Sequence, residues 1–313
     1  MMGTGPFAAP TFRELCGTDH AMVALVTKPL RPGRSRRPVP IGPMREIARE
    51  RGTPIFDPDD VNSAESRDRL TDFEADLLIV CDYGQILSAD TLATTRLGGI
   101  NIHGSLLPTY RGAAPVNWAI WHGETETGVS VIHMTPKLDA GPVIAIGRTA
   151  IEPEETAEQL EGRLSEIGAS VVLEVLDAFK SDDVEALPQD ASLASKAPRL
   201  KKTDGLINWD RPAATIKNQV RALQPWPKAY TFWHRPDGPP LRVIVGPVTV
   251  TDGPQTEAPP GTVVDVSGDA VAVAGAEGVI SLTSLQPSGK RMLTVAEFLR
   301  GYHVQVGETF GAE

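Results

Sequence analysis

Two cysteines in 313 residues, Cys16 and Cys81, are too few and too far apart for a disulfide framework or a thiolate metal centre. Both fall in apolar segments, so buried, reduced thiols and a cytoplasmic setting are expected. No apolar run approaches the roughly 20 residues that a membrane-crossing helix needs. No membrane partner is therefore expected. The first ten residues lack the basic start and apolar core of a secretory signal. No His/Cys cluster has ligand spacing, so no metal is expected either. What the chain does have is 41% hydrophobic residues, enough for ordinary cores, and a length better suited to two domains than one.

The formal charge of −10 is unevenly spread. Residues 151–190 hold twelve acids against Arg163 and Lys180, so the rest of the chain sums to zero. Within that remainder, Lys28, Arg31, Arg34, Arg36 and Arg37 fall close together with no acid among them. Lys196, Arg199, Lys201 and Lys202 form a second cluster. An acidic protein with two such clusters can still bind a polyanion locally.

In the first half, apolar runs at 22–27, 77–81, 99–103, 128–134 and 143–151 alternate with helical patterns near 10–17, 42–51, 60–72 and 114–122. This alternation predicts an α/β fold, a mostly parallel sheet with helices on both faces. Residues 156–180 give the clearest helix. Thr156 and Gln159 form a candidate capping box, and Leu160, Leu164, Ile167, Val171, Val175 and Phe179 recur at three- and four-residue steps. Its acids read as a solvated face. Periodicity fades from about 188 to 208, which predicts a basic linker. Past a short helix near 212–222 come brief runs at 229–234, 241–245, 262–266, 270–274 and 279–285, then a helix at 294–300. Their spacing predicts a small β-barrel. The expected division is 1–187, a linker at 188–208, and 209–313.

The chemistry concentrates in two segments. One is Asn-Ile-His-Gly-Ser-Leu-Leu-Pro at 101–108, the other Lys-Leu-Asp-Ala-Gly-Pro-Val-Ile at 137–144. Asn101 and His103 alternate along an extended run and point to one side of it. Pro108 pushes Leu107 out of the helical region and forces a turn. Asp139 precedes the irregular turn Ala140-Gly141-Pro142. Singly, each is more often structural: an Asn and a His bonding near a strand end, an Asp in a surface turn. Together they supply an amide for a developing oxyanion, and an imidazole and a carboxylate to manage protons as an amine attacks a carbonyl. Ligands on parallel sheets bind at the carboxyl ends of strands, so the three can meet at one rim.

The string Asn-Ile-His-Gly-Ser-Leu-Leu-Pro-x-x-Arg-Gly-Ala-Ala-Pro at 101–115 resembles the methionyl-tRNA formyltransferases. Ala-Leu-Gln-Pro-Trp-Pro at 222–227 and Leu-Gln-Pro-Ser-Gly-Lys at 285–290 resemble that family's C-terminal domain. The Asn–His–Asp triplet is shared more widely by enzymes using 10-formyltetrahydrofolate. The resemblance implies a Rossmann-like catalytic domain followed by an OB-like barrel. It implies formyl transfer from 10-formyltetrahydrofolate to the amine of methionyl initiator tRNA, with Asn101, His103 and Asp139 as the catalytic residues and no metal. A monomer is expected.

Ser105, Leu106, Leu107, Pro108, Tyr83, Ile86, Leu87 and Gly141 are then expected beside the folate. Arg34, Arg36 and Arg37, in the family's basic loop, are expected on the tRNA, because the arginine fork suits phosphate. Lys201 and Lys202 are expected to track the same backbone. Two departures stand out. Cys81-Asp82 replaces the Ala usual before the Tyr-Gly pair, and Met1-Met2 is too short for the full strand that precedes Gly3-Thr4-Gly5-Pro6 in the family. Either translation starts upstream or the sheet lacks most of that strand. Gly3-x-Gly5 without a third glycine is a poor nucleotide signal. Alternatives left open are a sugar-nucleotide or ribonucleotide formyltransferase, a formyltetrahydrofolate hydrolase, and a silent RNA-binding protein.

Overall fold

The structure is a computed structural model, and it describes residues 1–31, 40–251 and 256–313. The chain divides into two compact units. The first is Met1–Pro115, Glu126–Ala150 and Leu160–Pro198; the second is Val116–Thr125, Ile151–Gln159 and Arg199–Glu313.

The first unit is built on β1 (Met2–Gly3), β2 (Leu25–Val26), β3 (Ile55–Phe56), β4 (Leu78–Cys81), β5 (Gly99–His103), β6 (Arg111–Gly112), β7 (Glu126–His133), β8 (Val143–Ala150) and β9 (Lys196–Ala197). Seven of these form one sheet in the order β3-β2-β1-β4-β5-β7-β8. The pairs from β3 to β5 are parallel, whereas β5–β7 and β7–β8 are antiparallel. The reversal between β7 and β8 has a simple cause. The connection 134–142 is too short to carry the helical crossover that a parallel neighbour requires. The two-residue β1 sits mid-sheet, with Met2 fully buried and paired to both Val26 and Val80.

The helices up to residue 180 are α1 (Ala9–Leu15), α2 (Pro43–Arg51), α3 (Ala64–Asp72), α4 (Ala89–Leu92), α5 (Pro115–His122) and α6 (Ala157–Lys180), of which α5 after Pro115 and the first three residues of α6 belong to the second unit. The α6 start is the predicted reciprocal box. The Thr156 amide donates to Gln159 Oε1 at 2.9 Å, and the Gln159 amide to Thr156 Oγ1 at 3.4 Å. Along α6, Gly168 comes against Ile102 of β5 and Val129 of β7, and Ile167 and Val171 against Gly147 of β8. The helix thus covers the Ile102 face of the sheet. Asn101 and His103 alternate with Ile102 and face the other way.

The second unit contains α7 (Ala213–Ala222), β10 (Tyr230–His234), β11 (Leu241–Val245), β12 (Val248–Thr251), β13 (Val263–Ser267), β14 (Ala270–Ala274), β15 (Val279–Leu282), β16 (Ser284–Pro287), β17 (Leu293–Thr294), α8 (Val295–Leu299) and β18 (Thr309–Gly311). The strands form two sheets, β17-β16-β11-β10-β18 and β12-β15-β14-β13, with every named pairing antiparallel. The 279–285 run, read as one strand, breaks at Thr283, whose hydroxyl donates to the Pro247 carbonyl at 2.9 Å. There the chain passes from one sheet into the other. Trp209, Ile216, Val243, Val273, Ile280 and Phe298 belong to one buried cluster drawing on both sheets and on both helices.

Two further sequence expectations change, those on Cys16 and on residues 188–208, and the weak Gly3-x-Gly5 signal has a packing explanation. Cys81 is buried, but Cys16 is only half-buried. Gly3 and Gly5 serve packing. A Cβ on Gly3 would meet the Cys81 carbonyl at 2.8 Å, and one on Gly5 would meet Asp82 Oδ2 at 1.9 Å. The 188–208 stretch, read as a linker, contains β9, which pairs in parallel with β6.

Candidate active site

β5 delivers His103 at its carboxyl end, 5% exposed. Its Nε2 lies 2.9 Å from the Tyr110 carbonyl oxygen. A carbonyl only accepts, so Nε2 carries the hydrogen in this bond. The other nitrogen, Nδ1, faces Asp139 Oδ2 at 3.7 Å. That is close enough for an ion pair and leaves Nδ1 as the atom that can gain or lose a proton. Asp139 comes from the β7–β8 connection, as predicted, at a φ of 49°. Its side chain is 10% exposed, and the Gly112 amide donates to Oδ2 at 2.9 Å. Asn101, half-buried two residues before His103, projects on the same side.

The loop after β5 is fixed from below. Ser130 of β7, directly opposite His103 in register, donates its hydroxyl to the Ser105 carbonyl at 2.8 Å and accepts the Leu107 amide at 3.0 Å. The Ser105 hydroxyl donates to the Thr109 carbonyl at 2.6 Å, and Leu107–Pro108 is a cis peptide. A Cβ on Gly128 would meet the Leu106 side chain at 2.6 Å, so this glycine makes room for it. Gly141 is needed for a similar reason, since a Cβ there would lie 1.7 Å from the His133 carbonyl oxygen.

The Tyr83–Leu87 loop divides its side chains. Tyr83 is 2% exposed and packs with Met2, Val26, Val61 and Leu78 in the core. Its hydroxyl has no hydrogen-bond partner among the described residues, and burial, helped by the charge of Asp60, pushes its pKa up to about 12. Leu87 is buried, whereas Ile86 is 62% exposed. Asn62 brackets that isoleucine. Its Nδ2 donates to the Ile86 carbonyl at 2.9 Å, and its Oδ1 accepts the Ser88 amide at 2.8 Å. An exposed apolar side chain held on a braced backbone is a ready wall for a flat ligand. Asp82 is pushed above the usual carboxylate range by burial, with the Lys28 ammonium opposing the shift.

Lys196, Arg199, Lys201 and Lys202 are all exposed. Arg34, Arg36 and Arg37 lie outside the described residues. Among the described residues, no three His, Cys, Asp or Glu side chains gather as a metal site.

The Formyl transferase family matches residues 1–176, and its C-terminal domain matches residues 199–303. A methionyl-tRNA formyltransferase of Rhodopirellula baltica is 42% identical over 321 residues, covering 98% of this chain and 95% of that protein. One from Geobacter sulfurreducens is 40% identical, covering 99% and 95%. The chain belongs to the methionyl-tRNA formyltransferase family.

Solved relatives share the fold at lower identity. An N-formyltransferase from Helicobacter canadensis, in complex with folinic acid and dTDP-3-aminofucose, superposes with a TM-score of 0.67 at 15% identity, covering 91% of this chain and 97% of that one. A sugar 3N-formyl transferase gives 0.66 at 16% identity, covering 93% and 97%. For a methionyl-tRNA formyltransferase, the sequence motifs point to Asn101, His103 and Asp139 but miss the groups that hold them. Ser130, Gln189 and the Tyr110 carbonyl carry no local signal. Arg111 lies inside the 101–115 string, which gives no hint of its role.

Proposed function

We propose that this protein transfers the formyl group of 10-formyltetrahydrofolate to the free amine of methionyl initiator tRNA, giving N-formylmethionyl-tRNA for translation initiation. The observation that carries the reading is the 3.7 Å approach of His103 Nδ1 to Asp139 Oδ2, on the side of β5 to which Asn101 also projects.

As the amine attacks the formyl carbon, negative charge grows on the formyl oxygen, and the Asn101 amide donates to it. One such donor is worth about 3 kcal/mol of barrier. Asp139 accepts the proton shed by the amine, directly or through one water. His103, its Nε2–H tied to Tyr110, uses Nδ1 to hand a proton to N10 as that nitrogen leaves. Ser105, Leu106, Leu107, Pro108, Gly141 and Ile86 form the folate cleft, with Tyr83 and Leu87 supporting it from the core. Arg34, Arg36, Arg37, Lys201 and Lys202 take tRNA phosphates. The second unit acts as an OB-like module, nearly neutral with nine bases against ten acids from Trp209 on. We place the enzyme in the cytoplasm, where initiator tRNA is charged, as a monomer, because one chain supplies all three groups.

The test is incubation with 10-formyltetrahydrofolate and either methionyl initiator or methionyl elongator tRNA. Formylmethionine on the initiator is expected. Formylation of an amino sugar nucleotide but of neither tRNA, or tRNA binding with no turnover, overturns the reading. Asp139→Asn should lower kcat far more than folate affinity; a wild-type kcat removes Asp139 from the chemistry.

A further inference from the structure

Residues 187–197 run beside both loops of the site. Leu187 exchanges backbone hydrogen bonds with Val143, both at 2.8 Å. The Ser195 hydroxyl accepts the Tyr110 amide at 2.8 Å, and the Ser195 carbonyl accepts the Arg111 amide at 2.9 Å. The Ala197 carbonyl accepts the amides of Ala113 and Ala114 at 2.8 and 3.2 Å. Three consecutive residues under this segment each serve the site. The Tyr110 carbonyl holds His103, the Gly112 amide holds the Asp139 carboxylate, and the Arg111 side chain reaches Gln189.

Gln189 joins the two loops. Its Oε1 accepts from Arg111 Nε at 3.1 Å and Nη2 at 2.6 Å. A guanidinium only donates, so this pair fixes which end of the amide faces it. Nε2 is thereby aimed at two carbonyls, Asp139 O at 2.9 Å and Gly141 O at 2.8 Å. Both of its hydrogens are used, and the two bonds straddle the Asp139–Gly141 turn. Asp139 sits at a φ of 49°, which an aspartate tolerates, and the two Gln189 bonds pin the turn on either side of it.

We propose that Gln189 is a positioning residue for Asp139, with Arg111 setting the orientation of its amide. The proposal rests on the reading of the site given above. Gln189 touches none of the reacting atoms. It sets the direction from which the carboxylate meets the amine and His103 Nδ1, and small misplacements of such groups cost rate steeply.

The test compares Gln189→Ala and Gln189→Glu with wild type in methionyl-tRNA formylation, with melting temperatures measured alongside. Alanine removes the bonds to both loops. Glutamate keeps and strengthens the Arg111 pairing but has no N–H for the two carbonyls. Both should lose about 10- to 100-fold in kcat, with KM for 10-formyltetrahydrofolate within about threefold. A wild-type kcat in either variant overturns the proposal. So does recovery of kcat in the glutamate variant, because Gln189 would then only tie the segment to Arg111. If the alanine variant does not fold, the glutamate variant decides alone. A wild-type protein that formylates no tRNA fails the functional reading first, and the proposal falls with it.

Discussion

Asp82 stands at a φ of 47°, with its carboxylate packed where Gly5 leaves no room for a Cβ. Burial raises its pKa against the pull of Lys28. A carboxyl with a raised folded-state pKa contributes stability while it is protonated in both states, below the ordinary value of 3.8. That contribution is lost as pH rises through the folded-state value. At neutral pH the ionised form therefore weakens the fold. Asparagine keeps the shape and tolerates the left-handed backbone. Asp82→Asn should melt above wild type at pH 7–8, with the gap closing toward pH 4. A gap that stays constant with pH would assign the effect to packing, and a less stable variant would mean that the Lys28 pairing outweighs burial.

Among the elements, the β5 loop depends on β7 through one hydroxyl. Ser130→Ala leaves the Ser105 carbonyl and the Leu107 amide without their bridge, at a cost of about 1–3 kcal/mol for each buried group left unpaired. The variant should melt several degrees lower and bind 10-formyltetrahydrofolate several-fold more weakly, because the Leu106–Pro108 wall loosens. Unchanged melting and unchanged folate KM would remove Ser130 from that role. This dependence also marks where the sequence stops being readable. Asn101 and His103 are legible because same-side alternation is a local property of a strand, and α6 because its apolar steps repeat along its whole length. Ser130 matters only through the antiparallel register that sets it opposite His103. Register depends on strand pairing and leaves no mark on the residue itself. Gln189 is hidden for another reason. Its segment works through backbone pairing and two polar side chains, Gln189 and Ser195, so it shows no hydrophobic period and reads as a linker.

Across the whole molecule, residues 151–190 carry the entire net charge of −10, leaving the basic clusters on an otherwise neutral background. Replacing Arg34, Arg36 and Arg37 with alanine should weaken tRNA binding and flatten its salt dependence, by about 0.7–0.9 in the log–log slope for each phosphate that is no longer neutralised. An unchanged slope takes those arginines out of the interface. The course of 187–197 has a practical consequence for anyone dividing this chain. A cut at residue 176, where the first family match stops, would keep Asn101, His103 and Asp139 yet discard the stretch that braces the loops around them. Such a fragment should express a recognisable catalytic half with most of its turnover gone. A graft or deletion meant to keep that half working has to be spliced after Ala197.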